Sequence, residues 1–183
     1  NYGLFFLKGF EARLGGGEKD FSMLFVYSVT DNFLKNGGKL GFLITQEVFK
    51  SKGAGEGFRK FYYDENDKKT YLKVLKAHDF VSLQPFEGAA NKSAAIFLKK
   101  GEKTTYPVPY YVWSKKKGAG RIQPNMPARE TSEKLKKRKL LARPIGYSSG
   151  SWQTLTSKQK NLKKISGENY YKARLGARVE PYG

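Results

Sequence analysis

The stretch 37–45, Gly-Gly-Lys-Leu-Gly-Phe-Leu-Ile-Thr, is the strongest constraint on the fold of this chain of 183 residues. Leu40–Thr45 is a short apolar run, typical of a strand buried on both faces in the middle of a parallel sheet. The preceding segment, Asp20–Asn36, is apolar around most of a helical circumference, which predicts a largely buried helix. Asp20 would cap this helix and Gly37 would end it. The sequence therefore predicts an α/β unit organised around a central strand.

Further elements are predicted after this strand. A helical stretch begins near Phe58, and two strands follow at His78–Pro85 and Ser93–Lys99, joined by a loop of mostly small residues. The order helix, strand, helix, strand, strand predicts an α/β domain with a short hairpin at its edge. Thr104–Trp113 alternates loosely and contains two prolines, which predicts an additional strand at an edge of the sheet.

Charge divides the chain into two parts. The formal net charge is +19, of which residues 1–102 contribute +4 and residues 103–183 contribute +15. Such a basic region suits polyanions, because lysines and arginines that neutralise phosphates release counterions. Nucleic acid is therefore the expected partner, and a solubilising tail with little structure is the alternative.

Composition also divides the basic region. Lys115–Pro127 is rich in Lys, Gly and Pro and predicts a linker, and Ser132–Arg143 predicts a basic helix that ends before Pro144. The remaining residues are too few to close a core and predict the beginning of another domain. We therefore divide the chain into an α/β unit, a basic linker with a helix, and the start of a further domain, at residues 1–114, 115–144 and 145–183.

Several classes of site are disfavoured by composition. The chain has no cysteine, which excludes disulfides and thiolate metal sites and fits a cytoplasmic protein. A single histidine, His78, argues against a histidine-rich metal site or a Ser–His triad, so we expect no metal. No apolar run reaches the ~18 residues of a membrane span, so we expect no membrane partner.

Three stretches together carry a family resemblance. They are Asp-Phe-Ser-Met-Leu-Phe at 20–25, the glycine-led strand at 37–45, and Pro-Phe-Glu-Gly-Ala-Ala-Asn-Lys-Ser-Ala-Ala-Ile-Phe-Leu at 85–98. In this order and spacing they resemble the second half of the gamma-class N6-adenine-specific DNA methyltransferases. This family includes the methylase parts of type II and type IIG restriction–modification enzymes. The resemblance covers roughly residues 18–101.

The resemblance implies a partial Rossmann-like methyltransferase sheet with a basic C-terminal extension that leads into a target-recognition region. It also implies S-adenosylmethionine as the cofactor, double-stranded DNA as the substrate, and a bacterial or archaeal cytoplasm. A fused or separate nuclease or catalytic subunit would be a further partner. More weakly, Tyr170–Gly176 resembles the start of the target-recognition region, which implies that Arg174 contacts DNA.

The sequence departs from this family in its catalytic motifs. The family binds its cofactor with a glycine-containing loop after the first strand and an acidic residue after the second, and its signature is Asn/Asp/Ser-Pro-Pro followed by an aromatic residue. The chain contains none of these motifs. We therefore expect the carboxyl half of a catalytic domain, inactive by itself. The alternatives are a non-enzymatic basic nucleic-acid-binding or specificity module, and a subunit that docks on a separate catalytic chain.

The resemblance assigns roles to two aromatic residues. Phe86 matches the residue that stacks on the flipped base, since enzymes that act on a base extrude it into an apolar pocket. The alternative is a core phenylalanine that closes the end of a strand. Phe25 matches a residue that lines the cofactor, and its alternative is simple burial on an apolar helix.

The candidate DNA contacts are polar and basic. Asn91 and Lys92 follow Phe86 in the same loop, and Lys92 is suited to a phosphate near the flipped base or is an ordinary solvated lysine. The predicted basic helix would lie along the DNA backbone, where its contacts would position the protein without reading the base sequence. The alternative is a solvated charged helix. Its candidate contacts are Lys136, Lys137, Arg138 and Lys139.

Overall fold

In a computed structural model, residues 21–65, 68–83, 85–86 and 92–159 are described. The predictions made for Asp20, Asn91 and Arg174 lie outside these residues. Three α-helices occur in the described part: α1 (Phe21–Phe33), α2 (Ala54–Phe58) and α3 (Ala128–Lys134). The strands are β1 (Lys39–Thr45), β2 (Tyr62–Glu65), β3 (Lys68–Asp79), β4 (Ser93–Lys100), β5 (Val108–Lys115), β6 (Leu135–Pro144) and β7 (Trp152–Leu155).

The strands form one mixed sheet in the order β1-β4-β3-β5-β6-β7, with β2 paired to β3 alone. Only the β3–β5 pair in this sheet is parallel, and the other pairs are antiparallel. Because β1 and β3 are both antiparallel to β4, they run in the same direction. The predicted α/β class is confirmed, whereas the expectation of β1 inside a parallel sheet is wrong.

The apolar run of β1 was misread because a short run does not distinguish a strand buried on both faces from one buried on a single face. Within the described residues β1 is the end strand of the sheet. Ile44 is buried in the core, whereas Leu43, which points to the other face, is 56% exposed. The run therefore belongs to a strand with one buried face.

The core lies between one face of the sheet and the helices α1 and α2. Tyr27 of α1 joins these layers, because its hydroxyl donates a 2.6 Å hydrogen bond to the carbonyl of Phe58 and its ring meets that of Tyr63 edge-on. The prediction that α1 is largely buried is wrong for its outer side, where three phenylalanines are exposed. They are Phe21, Phe25 and Phe33.

Two predicted helices are strands. The segment after Phe58 forms the β2–β3 hairpin, in which Tyr62 pairs with Tyr71 across the strands. Helical structure in the segment predicted as a basic helix ends at Lys134, and residues 135–142 pair with β5 along the whole length of that strand. Leu140 and Ala142 are buried at alternate positions, as in a strand with one buried face. Pairing with neighbouring strands therefore overrides the local helix propensity of these lysine-rich segments.

β5 is also an interior strand of the described sheet and not the predicted edge strand. Proline has no amide hydrogen to donate to a neighbouring strand. Pro109 precedes Tyr110, the first residue of β5 that pairs with β3, so the pairing of these two strands does not need a donor at Pro109.

The end of the described chain packs into the same core. Trp152 of β7 is buried and stacks on Phe49, with ring centroids 4.7 Å apart. The buried Arg59 donates hydrogen bonds to the carbonyls of Ser149 and Gly150, each 3.0 Å long. Residues on both sides of positions 114 and 144 thus share one sheet and one core.

Candidate pocket at the carboxyl ends of β1 and β3

A pocket of about 220 Å³ lies where β1 ends and β4 begins. The first turn of α1, the last residues of β1, the connection between β3 and β4, and the first residue of β4 all contribute to it. As far as the described residues show, its lining is largely apolar, with one charged residue. The lining residues are Ser22, Leu43, Ile44, Thr45, Phe86, Lys92 and Ser93.

The antiparallel pairing of β1 with β4 explains why distant segments meet here. Thr45 at the end of β1 pairs with Ser93 at the start of β4. The amide of Gln46 donates a 2.8 Å hydrogen bond to the carbonyl of Lys92, which extends the ladder beyond the strand ends. Lys92 and Ser93, which follow Phe86 in the chain, are thereby held against the end of β1. All three stretches that carry the family resemblance contribute residues to this one pocket.

Phe86 is exposed over 50% of its surface and contributes to the pocket wall. Its ring is therefore available to a ligand and does not belong to the buried core cluster. An apolar ring at a pocket mouth gives flat ligands a surface for stacking. The stacking role of Phe86 on a flipped base stays a prediction.

Lys92 gives the pocket its electrostatic character. It is exposed and is the one charged residue among the described residues that line the pocket. A lysine ammonium attracts phosphate as a point charge. The arrangement therefore suits an apolar, flat group inside and an anionic group at the rim.

A buried polar cluster supports the strand ends behind the pocket. The hydroxyl of Tyr110 donates a 2.7 Å hydrogen bond to Oδ2 of Asp79, and the amide of Val81 donates a 2.9 Å bond to Oδ1. Nε2 of Gln46 lies 3.5 Å from the same Oδ2 and from the Tyr110 hydroxyl oxygen. Burial raises the pKa of Tyr110 against a smaller opposing effect of the Gln46 hydrogen bond, and the neighbouring Asp79 raises it further.

This cluster fixes Gln46, the residue that follows β1, against the end of β3. Sequence reasoning missed it, although a carboxylate at the end of an apolar strand and an amide after an apolar run were the available signals. A buried carboxylate needs such donors, because an unpaired charge is costly to bury.

The other predicted residues lie away from the pocket. Phe25 is 55% exposed and follows Ser22 by three residues, so both lie on one side of α1, but Phe25 does not line the pocket. Four strand spacings separate β6 from β1, or about 19 Å at ~4.8 Å per spacing. The exposed basic residues Lys136, Lys137, Arg138 and Lys139 lie on β6, not on a helix.

Within residues 21–65, 68–83, 85–86 and 92–159, no group of three or more His, Cys, Asp or Glu residues could hold a metal ion. In the same part of the chain, no helix combines the length and apolarity needed to cross a bilayer.

The fold and the site define an α/β unit with a small, largely apolar pocket at the carboxyl ends of two strands that run in the same direction. In open α/β sheets, ligands bind outside the carboxyl ends of the strands. The position of the pocket follows that rule.

Solved structures that this chain matches in part include restriction–modification proteins. The type IIG restriction endonuclease BpuSI has a TM-score of 0.44 at 12% identity, over 75% of this chain and 16% of that one. A chain of a type I restriction–modification system has a TM-score of 0.44 at 12% identity, and the match covers 66% of this chain and 26% of that one. A protein from Vibrio vulnificus YJ016, described as a modification subunit of a type I restriction enzyme, has a TM-score of 0.43 at 14% identity. The match covers 81% of this chain and 36% of that one.

The chain spans between 16% and 36% of the lengths of these three proteins. No family model matches the chain, and no curated protein matches it.

Proposed function

We propose that this chain is part of an adenine-specific DNA N6-methyltransferase of the restriction–modification type, and that its pocket receives the flipped base. One observation supports this proposal above others: the three stretches that resemble the gamma-class enzymes meet at one pocket. Phe86, the residue matched to base stacking, contributes to the wall of that pocket with half of its surface exposed.

The size and chemistry of the pocket suit a base better than a nucleotide cofactor. A volume of about 220 Å³ is below the ~300–1,000 Å³ of sites that hold drug-sized ligands. A flipped base is read by stacking against apolar or aromatic side chains, which Phe86 and Leu43 supply here. Lys92 at the rim is suited to a phosphate beside the extruded nucleotide.

S-adenosylmethionine would be the cofactor of the complete enzyme, where it supplies the methyl group. The described part of the pocket does not fit it well, because the one charged residue among the described lining residues is a lysine and the sulfonium centre is also positive. Among the described residues, the exposed ring of Phe25 near Ser22 is the candidate contact. The cofactor would therefore be held mainly by residues beyond those that line this pocket.

A Rossmann-like sheet is compatible with the described strands. β1 and β3 run in the same direction, and their carboxyl ends lie on the side of the pocket. The outer edge of β1 has no partner strand among the described residues, and an unpaired edge accepts a further strand. The proposed complete sheet would continue at this edge.

Double-stranded DNA would also contact the basic strand β6. Lys136, Lys137, Arg138 and Lys139 are consecutive and exposed, so their side chains are presented on both sides of the strand. Such cations would bind phosphates and set the orientation of the duplex, while base contacts elsewhere would read the sequence. In this proposal the protein acts in a bacterial or archaeal cytoplasm, with a nuclease or catalytic subunit as a further partner.

The experiment expresses the full-length gene product that contains this chain in a bacterium without adenine methylation. N6-methyladenine in the host DNA is then measured by mass spectrometry, and kcat/KM is measured on plasmid DNA with the purified protein. Base stacking on an aromatic side chain is worth ~1–3 kcal/mol, so we expect Phe86→Ala to lower kcat/KM by about 10- to 100-fold. Phe86→Trp should retain most of the activity.

Phe33→Ala is the matched control, because Phe33 is an exposed phenylalanine at the far end of α1. It should leave kcat/KM unchanged. Absence of N6-methyladenine in the host, with DNA binding retained, would favour the non-enzymatic binding or specificity module. Equal activity of Phe86→Ala and the unmodified protein would refute the stacking role.

A further inference from the structure

The face of the sheet opposite the core carries a cluster of aromatic rings. His78 on β3 pairs with Tyr111 on β5, and Lys76 pairs with Phe97 on β4. Paired residues on neighbouring strands point to the same face, and Trp113 lies two residues after Tyr111 on that face. We call the surface formed by His78, Phe97, Tyr111 and Trp113 the ring face. None of these four belongs to the buried core cluster.

The rings of this face touch one another around His78. The His78 centroid lies 5.3 Å from that of Phe97, 5.1 Å from Tyr111 and 5.9 Å from Trp113. The planes of His78 and Trp113 differ by 29°, which is a stacked arrangement. All four side chains are partly exposed. A continuous aromatic platform therefore extends across three strands.

The ring face is also positively charged. The cross-strand partners of its four members include three lysines and no acidic residue. Nζ of Lys76 lies 4.5 Å from the Phe97 centroid, and Nζ of Lys137 lies 5.2 Å from Tyr111 and 5.4 Å from Trp113. Lys139, the third lysine, is exposed opposite Tyr111. The ligand that complements this surface has flat apolar groups and negative charge.

The histidine at the centre is kept neutral and oriented. Nε1 of Trp113 donates a 3.0 Å hydrogen bond to Nδ1 of His78, so the neutral imidazole carries its proton on Nε2. That Nε2 atom is buried and has no hydrogen-bond partner among the described residues. Burial lowers the pKa of His78, and the charges of Lys76 and Lys137 lower it further. The platform thus presents an uncharged imidazole among aromatic rings.

We propose that the ring face binds single-stranded nucleic acid, with bases stacked on Tyr111 and Trp113 and phosphates beside Lys137 and Lys139. Sequence-tolerant single-strand sites combine aromatic platforms with basic side chains that follow the backbone, and open sheet faces serve in this way. A duplex cannot use such a platform, because its bases are already stacked on one another. This site is separate from the pocket and goes beyond the proposed methyl transfer, although Lys137 and Lys139 are shared with the duplex contact proposed above for β6.

The two tryptophans make the test specific. Trp113 is partly exposed on the ring face, whereas Trp152 is 4% exposed in the core. Tryptophan emission is followed while a 20-residue oligothymidylate is added at low salt. We expect quenching by the single strand, and Trp113→Phe should abolish it while the emission of Trp152 remains. Unchanged circular dichroism of Trp113→Phe shows that the variant is folded.

A double variant tests the phosphate contacts without altering either tryptophan. Lys137→Gln with Lys139→Gln should weaken binding at least tenfold. It should also lower the magnitude of the slope of log affinity against log salt by about 1.4, because each of the two lost phosphate contacts contributes ~0.7. Lys50→Gln with Lys52→Gln is the control, since it removes the same charge from exposed positions after β1. Phe86→Ala should bind the oligonucleotide normally, which separates this site from the pocket.

Three results would overturn the proposal. The first is an absence of quenching by oligothymidylate at low salt. The second is equal quenching by a duplex of the same length or by heparin, which would indicate a general polyanion surface. The third is an equal loss of affinity in the two double-lysine variants, which would mean that binding depends on overall charge and not on the ring face.

Discussion

Replacing Arg59 by methionine should release the turn between β6 and β7 from the rest of the fold. The guanidinium is 1% exposed and donates to four main-chain carbonyls. Nε bonds Ser149 and Gly150 at 3.0 Å each, Nη1 bonds Val48 at 2.6 Å, and Nη2 bonds Ser51 at 2.8 Å. Burial lowers the pKa of Arg59, and the nearby Glu56 opposes this effect. Arginine remains charged at neutral pH.

The expected loss follows from the acceptors that methionine would leave behind. The residues that carry three of the four carbonyls are buried, and an unsatisfied buried acceptor costs about 1–2 kcal/mol, which gives about 3–6 kcal/mol. Removal of a desolvated charge offsets part of this loss. We therefore expect the free energy of unfolding to fall by about 2–4 kcal/mol.

Urea unfolding followed by circular dichroism measures this loss. At a slope of ~2 kcal/mol per molar urea, the midpoint should fall by about 1–2 M. Lys52→Met, an exposed position in the same region, should stay within ~0.5 kcal/mol of the unmodified protein. Amide hydrogen exchange should accelerate at Tyr147 and Gly150 in Arg59→Met. A loss below 1 kcal/mol with unchanged exchange at these amides would refute the idea that Arg59 holds the turn.

Two pH-dependent effects follow from ionisable side chains. Hydrogen bonds from Lys73 and Lys99 lower the pKa of Glu102 to about 2, so its stabilising effect is present above pH ~4.5 and is lost as the pH falls towards 2. Glu102→Gln should reduce the change of the urea midpoint with pH over that range. A pH dependence equal to that of the unmodified protein would contradict the lowered pKa of Glu102. The lowered pKa of His78 means that stability should decline as the pH falls below ~6.5. Because His78 is the only histidine of the chain, NMR of its imidazole protons should give a midpoint below 6.5, and a midpoint above that value would contradict the packing.

Strong local patterns predicted some elements well. The helix before the glycine pair is present as α1, and the strand predicted at Ser93–Lys99 is β4 at Ser93–Lys100. Both are apolar segments with clear boundaries. Gly37, expected to end the helix, has a φ of +79° in the turn that leads into β1, four residues after Phe33, the last residue of α1. A left-handed turn favours glycine at this position.

Mixed-charge segments were predicted poorly. β3 and β6 contain many lysines, which favour a helix locally, and their strand character depends on partners elsewhere in the chain. Main-chain hydrogen bonds to those partners stabilise the strands, and no local pattern reports them. The exposure of Phe25 was missed for a related reason, since the apolar surface of α1 exceeds the area that the described sheet covers.

The candidate pocket was predictable only in part. The family resemblance singled out Phe86 and Lys92, which line the pocket, but the contributions of Ser22 and Thr45 depend on how β1 pairs with β4. The polar cluster of Asp79 and Tyr110 also joins strands that are 31 residues apart in the chain. Such contacts follow from sheet topology.

By itself, the amino-acid sequence determined the α/β class, the apolar segments that form elements such as α1 and β4, and the uneven charge that points to a polyanion. These properties depend on residue type and local periodicity, which any stretch of chain carries with it. The tertiary structure alone decided that β1 has one buried face, that the basic segment is a strand, and that four rings and three lysines share one surface. Those features depend on strand order and register, which are set by the free energy of the whole sheet and its core.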